Sequence, residues 1–275
     1  MEILDAQLHA NDQHPVAEHI EHMAAEGVAG ALLVQTIPQG FDNRFLLKAA
    51  VRHPGRFGVV GVLDPAAADV EGDVARWAAT PDAVGLRLVI LGEERVARLR
   101  GGHYEPLLAA AETSGVPMFV YAPRLLGEVE AIALGHPALT IVLDHLGLPQ
   151  PPVLEVGENP WADLPAVLAL ARLPNVAVKC SGLPTTSTQP YPFSDLWPMM
   201  HSVLDAFGPR RAMWGSDITR EGAGHTYAEA VGWVRDTHEL TSEEKRLVLG
   251  DALRALCCSS AVGRDREYEE SAYAG

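Results

Sequence analysis

The segment Thr140-Ile-Val-Leu-Asp-His-Leu-Gly-Leu-Pro149 contains the pattern that recurs along the chain. It begins as a short apolar run of the kind that forms a buried strand, passes into the polar pair Asp144 and His145, and ends on turn and breaker residues. Seven other runs rich in Val, Ile, Leu and Ala start at spacings of roughly 25 to 35 residues, the length of one strand–helix unit. These runs cover residues 3–9, 30–35, 57–63, 84–88, 117–121, 175–179 and 212–215.

The segments between these runs carry apolar residues at helical spacing, as in Val16, Ile20 and Met23. An antiparallel sandwich would place a strand about every 8 to 12 residues, so alternating strands and helices are indicated instead. An open doubly wound sheet competes, but the chain has no G-x-G-x-x-G turn after its first strand and no G-x-x-x-x-G-K-[ST] motif. We therefore predict an α/β protein with a single-domain (β/α)8 TIM barrel over residues 1–260 and a flexible C-terminal tail over residues 261–275.

Composition restricts the class of partner. The 275 residues include 21 basic and 36 acidic side chains, for a net charge of −15, which repels nucleic acid and anionic lipid at long range. We expect a small-molecule partner, with no nucleic acid and no membrane, and the sequence leaves a homo-oligomer open. The first residues lack the features of a signal peptide and three cysteines make no disulfide framework, so a cytoplasmic location is expected.

Polar side chains stand at the ends of the predicted strands. In a (β/α)8 barrel the chemistry lies at the C-terminal ends of the strands, so these side chains are candidates for an active site. The candidates are Gln7 and His9 after the first strand, Arg87 after the fourth, Tyr121 and Arg124 after the fifth, His145 after the sixth, Lys179 in the seventh and Asp217 after the eighth.

Five segments together resemble the amidohydrolase superfamily, in the branch called amidohydrolase 2, which includes sugar and dicarboxylate lactonases. They are Leu4-Asp-Ala-Gln-Leu-His9, Arg52-His-Pro-Gly-Arg-Phe57, Leu143-Asp-His-Leu-Gly-Leu-Pro149, Val178-Lys-Cys-Ser-Gly182 and Phe207-Gly-Pro-Arg-Arg-Ala-Met-Trp-Gly-Ser-Asp217. The resemblance covers roughly residues 4–256. It implies a TIM-barrel hydrolase whose metal ligands are H-x-H after strand one, His after strands five and six, and Asp after strand eight.

The chain matches that ligand pattern at His9, His145 and Asp217 and departs from it at Gln7 and Tyr121. A catalytic zinc site keeps three good protein ligands, and an amide oxygen is a poor replacement for an imidazole. Either the three matching residues hold a divalent ion such as Zn²⁺ weakly, or the protein works without a metal. We favour the second interpretation and expect no required cofactor.

The resemblance implies hydrolysis of a small, carboxylated or sugar-derived lactone, with Asp217 as the general base for water and His9 and His145 as further catalytic residues. Substrate-binding roles are predicted for five side chains, with the cations among them suited to an anionic substrate. These are Gln7, Arg87, Tyr121, Arg124 and Lys179.

Alternatives remain open at several of these positions. Lys179 could pair with an acid of the barrel wall, Arg87 could be buried in an ion pair, and Trp214 is expected to pack between barrel and helices. At the level of function, the alternatives are a metal-dependent decarboxylase or hydratase of the same superfamily and a non-catalytic barrel.

Overall fold

The computed structural model describes residues 1–150, 154, 159–220 and 222–259, so the predicted C-terminal tail lies outside the described residues. Eight parallel strands form one sheet in the order in which they occur along the chain. They are β1 (Leu4–Leu8), β2 (Gly30–Val34), β3 (Phe57–Gly61), β4 (Ala83–Val89), β5 (Met118–Tyr121), β6 (Ile141–Leu143), β7 (Val176–Ser181) and β8 (Ala212–Gly215). The (β/α)8 barrel prediction is confirmed, with each strand inside or close to its predicted run.

Helices follow the strands and cover the outside of the barrel. They are α1 (Val16–Glu26), α2 (Arg44–Arg52), α3 (Val70–Ala78), α4 (Gly92–Arg100), α5 (Glu105–Ser114), α6 (Leu126–Gly135), α7 (Leu164–Ala169), α8 (Trp197–Phe207), α9 (Tyr227–Arg235), α10 (Ser242–Arg246) and α11 (Ala252–Ser259). Trp214 illustrates the contact between the layers, because its buried indole donates from Nε1 to the Ala230 carbonyl of α9 at 2.9 Å. The predicted packing of Trp214 is therefore confirmed.

The last helical segment, residues 242–259, is not one regular helix. A π turn over Leu247–Asp251 joins α10 to α11. At Gly250 in this turn, an added Cβ would lie 2.5 Å from the Glu2 carbonyl oxygen, so a glycine permits the close approach of the helix to the first residues. No helix of the described part of the chain is both long and apolar enough to cross a bilayer.

The lower part of the barrel interior is filled by apolar side chains from all eight strands. They are Leu4, Ala6, Leu32, Val34, Val60, Val84, Phe119, Val142, Ala177 and Met213, with Ala252, Leu253 and Leu256 of α11 beneath them. Phe119 is the largest of these, and it reaches across to Gly85, where an added Cβ would collide with its ring. This packed layer fills the lower part of the barrel interior, so the side chains at the C-terminal ends of the strands lie above it.

The barrel closes at a seam between β8 and β1, which hydrogen bonds from the end of β8 join. On its other side, the pairing of β1 with β2 shifts register between Asp5 and Leu8, as at a β-bulge. The Asp5 carboxylate accepts the freed Gln7 N–H at 3.0 Å and the Ser216 N–H at 2.8 Å. One residue further along, the Asp217 N–H donates to the Gln7 carbonyl at 3.0 Å. The bulge therefore brings Gln7, His9 and Asp217 to the same place at the mouth of the barrel.

Candidate active site

A cavity of about 670 Å³ opens at the C-terminal ends of the strands. Five of the predicted site residues line it, namely His9, Arg87, Tyr121, His145 and Asp217. Its rim comes from the loops that follow β1 and β2, including Asn11, Thr36 and Gln39. The structure thus brings together side chains from strand ends one, four, five, six and eight.

His9 is held in a defined orientation at the end of β1. Its Nδ1 lies 2.7 Å from the Val34 carbonyl oxygen, so Nδ1 carries the hydrogen and Nε2 is left as an acceptor. Nε2 lies 3.5 Å from Asp217 Oδ1. Burial lowers the pKa of His9 to about 4 despite the opposing charge of Asp217, so the ring is neutral near pH 7. The backbone carbonyl of His9 also accepts a hydrogen bond from Nε2 of the buried His19 at 2.9 Å.

His145 lies in a tight turn after β6, with a left-handed backbone at φ 55°. Its Nδ1 is 2.8 Å from the Ser181 hydroxyl and 3.3 Å from Nη2 of Arg220, two groups that can both donate to it. The Tyr121 ring packs edge-on against the imidazole, with 5.3 Å between the centroids. Burial lowers the pKa of His145 to about 3, so this ring is neutral too. Donors at Nδ1 favour the tautomer with hydrogen on Nε2.

Asp217 follows β8 and is almost fully buried. Its Oδ2 pairs with the Arg220 guanidinium and lies 3.7 Å from His145 Nδ1. Burial acts to raise the pKa of Asp217, but the charge of Arg220 and its hydrogen bond to the carboxylate outweigh it and hold the pKa below the usual value. The carboxylate is therefore ionised at neutral pH.

A buried ionic network supports the floor of the cavity. The Asp144 carboxylate accepts from Arg87 Nε at 2.8 Å and lies 3.0 Å from Lys179 Nζ. Lys179 Nζ also donates to Gln7 Oε1 at 2.8 Å and lies 4.2 Å from the centroid of the Phe119 ring. Burial acts to raise the pKa of Asp144, but Lys179 and Arg87 hold it well below its ordinary value. Lys179 and Gln7 thus lie beneath the cavity and do not line it. Lys179 pairs with Asp144, an acid of the barrel wall, which is the alternative left open by the sequence.

Arg87 combines an ion pair with a place in the cavity wall. Besides the Asp144 contact, its Nη1 donates to the Gln35 carbonyl at 2.9 Å. Neither bond uses Nη2, and the side chain is 7% exposed. Arg87 therefore forms a buried ion pair with Asp144 and also lines the cavity.

Tyr121 and Arg124 leave β5 in different directions. The Tyr121 hydroxyl accepts the Gln150 N–H at 3.1 Å, which leaves its own hydrogen to donate elsewhere. Burial raises the pKa of Tyr121 to about 12, so the phenol stays protonated. Arg124 is exposed, and it lines a separate surface depression with Leu91 and Pro123.

Sequence reasoning missed Arg220, which lines the cavity from the loop after β8. Its guanidinium contacts Asp217, His145, Gln150 and Thr185. This loop has no periodicity, and the only local signal was a cation three residues after Asp217 in Asp217-Ile-Thr-Arg220.

Comparisons with known proteins agree with this arrangement. A model of the amidohydrolase family matches residues 6–256. The chain belongs to the amidohydrolase family. An L-fucono-1,5-lactonase from Burkholderia ambifaria is 32% identical to this amidohydrolase over 217 residues, covering 77% of this chain and 73% of that protein.

Two solved structures share the fold of this amidohydrolase. A Pseudomonas putida structure, described as a candidate 2-pyrone-4,6-dicarboxylic acid hydrolase, superimposes with a TM-score of 0.76 at 23% identity, covering 94% of this chain and 98% of that one. An amidohydrolase from Burkholderia multivorans with bound zinc superimposes with a TM-score of 0.75 at 24% identity, covering 94% and 99%. Zinc therefore binds to at least one barrel of this shape.

The side chains of this amidohydrolase do not fit a divalent ion as they are arranged here. Gln7 directs its oxygen to Lys179 and its NH2 group to His9, with 3.3 Å between Gln7 Nε2 and His9 Nε2. A hydrogen-bond donor therefore occupies the place where a metal ion would need an electron-pair donor. Arg220 engages both Asp217 Oδ2 and His145 Nδ1. Within the residues that the structure describes, no group of three or more His, Cys, Asp or Glu side chains could hold a metal ion.

Proposed function

We propose that this amidohydrolase hydrolyses the ester bond of a small lactone, carboxylated or sugar-derived, and that it does so without a bound metal ion. One observation carries the proposal: the buried, ionised Asp217 carboxylate pairs with Arg220 through Oδ2 and keeps Oδ1 for another donor, at a cavity whose wall also presents hydrogen-bond donors. The similarity to an L-fucono-1,5-lactonase supports the reaction class.

The Asp217 carboxylate is suited to activating water. A water molecule that donates a hydrogen to Asp217 Oδ1 keeps its lone pairs directed away from the carboxylate, toward a bound carbonyl carbon. His9, held by the Val34 carbonyl and the Gln7 amide, lies beside that carboxylate oxygen at 3.5 Å. As the water oxygen attacks that carbon, Asp217 accepts the proton. When the ring ester bond breaks, Asp217 delivers the proton to the leaving oxygen, so that a hydroxy acid is formed and the carboxylate is regenerated.

Donors in the cavity are suited to the negative charge that develops on the carbonyl oxygen. The Tyr121 hydroxyl, with its pKa near 12, keeps its hydrogen, and the neutral His145 offers Nε2–H. Preorganised donors of this kind contribute several kcal/mol, about 3 each in well-studied acyl-transfer enzymes. An alkoxide or enolate leaves more readily than an amine, so a lactone needs no metal to assist its departure.

The charge of the cavity favours an anionic substrate. Arg87 supplies a guanidinium in the cavity wall, whereas the protein as a whole has a net charge of −15. The cavity therefore attracts an anion that the overall charge of the protein repels. Its Nη2 is suited to a carboxylate or to the hydroxyl oxygens of a sugar acid.

Hydrolysis assays with chelator-treated protein test the proposal. Acid release is measured with a sugar 1,5-lactone, a carboxylated pyrone and the neutral δ-valerolactone, using wild type, Asp217→Asn and the exposed control Asp205→Asn. We expect hydrolysis of the sugar or carboxylated lactone by wild type and the control, and its loss in Asp217→Asn. Activity that appears only after zinc is restored, or carbon dioxide release from a carboxylated aromatic acid in place of lactone hydrolysis, would overturn the proposal.

A further inference from the structure

The Arg220 guanidinium is buried at the point where the family pattern would have a metal ion. Its side chain is 7% exposed, and the Nη2 end contacts Asp217 Oδ2 and His145 Nδ1, two of the three residues that match the ligand pattern. The Nη1 end donates to the Gln150 side chain and to the Thr185 hydroxyl, the latter at 2.9 Å. One cation is thus bound by the loops after β6, β7 and β8.

The site around this guanidinium is shaped to receive it. Gly182, directly after β7, adopts a left-handed conformation at φ 65°, and an added Cβ would lie 2.5 Å from Arg220 Nη2. Any side chain at position 182 would therefore displace the guanidinium. Gln150 is 2% exposed, so the group that accepts from Nη1 is itself buried.

We propose that Arg220 is the resident cation of this active site: its guanidinium fills the space that a divalent ion would need between Asp217 and His145, and it orients Asp217. A guanidinium stays charged at every relevant pH and can bind several partners through its planar group of N–H donors. Being part of the chain, it also stays at the site, whereas a metal ion can dissociate. The orienting role rests on the proposed lactone hydrolysis, whereas the exclusion of metal does not.

Zinc titration of Arg220→Ala tests the exclusion of metal. Removing the guanidinium takes away a positive charge next to the site, frees Asp217 Oδ2 and leaves His145 Nδ1 with only the rotatable Ser181 hydroxyl among its two neighbouring donors, so we expect zinc to bind at least about tenfold more tightly than to wild type. Arg76→Ala, which removes an exposed arginine of α3, is the matched control and should leave zinc binding unchanged. Adding Asp217→Asn to Arg220→Ala should abolish the gain, because the same carboxylate is then lost.

Thermal unfolding gives a second measurement that needs no enzymatic activity. Zinc should raise the Tm of Arg220→Ala and leave that of wild type unchanged, since a ligand stabilises the folded state that binds it. If Arg220→Ala does not fold, Arg220→Gln removes the charge, keeps a planar amide and should show the same gain. Zinc binding as tight in wild type as in the variants overturns the proposal.

The orienting role is tested by turnover. Chelated Arg220→Ala should lose kcat with little change in KM, because Arg220 acts through Asp217, and added guanidinium ion should restore part of the loss where the same concentration of sodium ion does not. A loss confined to KM, or equal rescue by sodium, contradicts this role. If wild type hydrolyses no lactone while the zinc results hold, the proposed function fails and the exclusion of metal stands.

Discussion

Replacing Lys179 by Met is the most informative test of the buried network beneath the active site. The methionine fills a similar volume, but it removes the ammonium group that contacts both Asp144, at 3.0 Å, and Gln7, at 2.8 Å. Asp144 is left fully buried with Arg87 as its remaining cationic contact, and Gln7 Oε1 loses its donor. We expect a large loss of stability.

The magnitude follows from these contacts. Breaking a buried ion pair by removing one partner costs about 3 to 5 kcal/mol, because the other charge stays buried. Because the bond from Arg87 to Asp144 survives, the loss of unfolding free energy in Lys179→Met should lie toward the lower end of this range. The unpaired Gln7 oxygen adds about 1 kcal/mol or more to the loss. At roughly 2 to 4 °C per kcal/mol for a domain of this size, the Tm should fall by about 6 to 20 °C.

Denaturant and thermal unfolding at pH 7 measure this loss. Lys48→Met on the exposed face of α2 is the control and should change the free energy of unfolding by no more than about 0.5 kcal/mol. Combining Lys179→Met with Asp144→Asn should cost less than the sum of the single changes, with a coupling of about 0.5 to 3 kcal/mol. A loss below about 1 kcal/mol for Lys179→Met would show that Lys179 does not neutralise Asp144.

Three further predictions concern the site and its seam. Asp217→Asn should lower kcat on the lactone substrate by roughly 10²- to 10⁴-fold, the range of a general base, and a change below tenfold assigns the base elsewhere. Arg87→Met should lower both the Tm and kcat/KM. Arg87→Lys should restore little of the lost kcat/KM, because lysine lacks the planar guanidinium. An unchanged kcat/KM with a lowered Tm in Arg87→Met would show that Arg87 does not bind the substrate. Burial raises the pKa of Asp5 to about 6, above the 3.8 of an unperturbed carboxyl. The folded state therefore favours the protonated carboxyl, so the contribution of Asp5 to stability is complete below pH 3.8 and is lost as the pH rises through 6. The difference in unfolding free energy between wild type and Asp5→Asn should therefore fall by on the order of 3 kcal/mol between pH 4 and pH 8, and a flat difference contradicts the shift.

The barrel could be predicted because its strands are buried on both faces. Such strands appear as continuous apolar runs, and the polar residues at their ends identify the active end of a barrel without any knowledge of contacts. His9, Tyr121, His145 and Asp217 were found in this way, and all four line the cavity.

Other parts of the site depend on contacts between distant segments. The direction of the Gln7 amide is set by Lys179 of β7, which is 172 residues away along the chain, and by a bulge that no local pattern reveals. Arg220 lies in a loop without periodicity, and its role is visible only when Gln150, Thr185 and Gly182 are seen around it. For Arg124, the sequence leaves both substrate binding and a position in solvent open, and its left-handed backbone after β5 places it at the surface.

The seam between β8 and β1 has a consequence for how the molecule can be monitored. The Asp217 N–H that bridges the seam to the Gln7 carbonyl belongs to the same residue whose carboxylate faces His9. Its amide proton is protected from exchange with solvent until the first and last strands separate, and that separation also moves Asp217 away from His9. Hydrogen exchange of this one amide, followed by nuclear magnetic resonance, therefore measures how large a fraction of the native protein has these two residues apart.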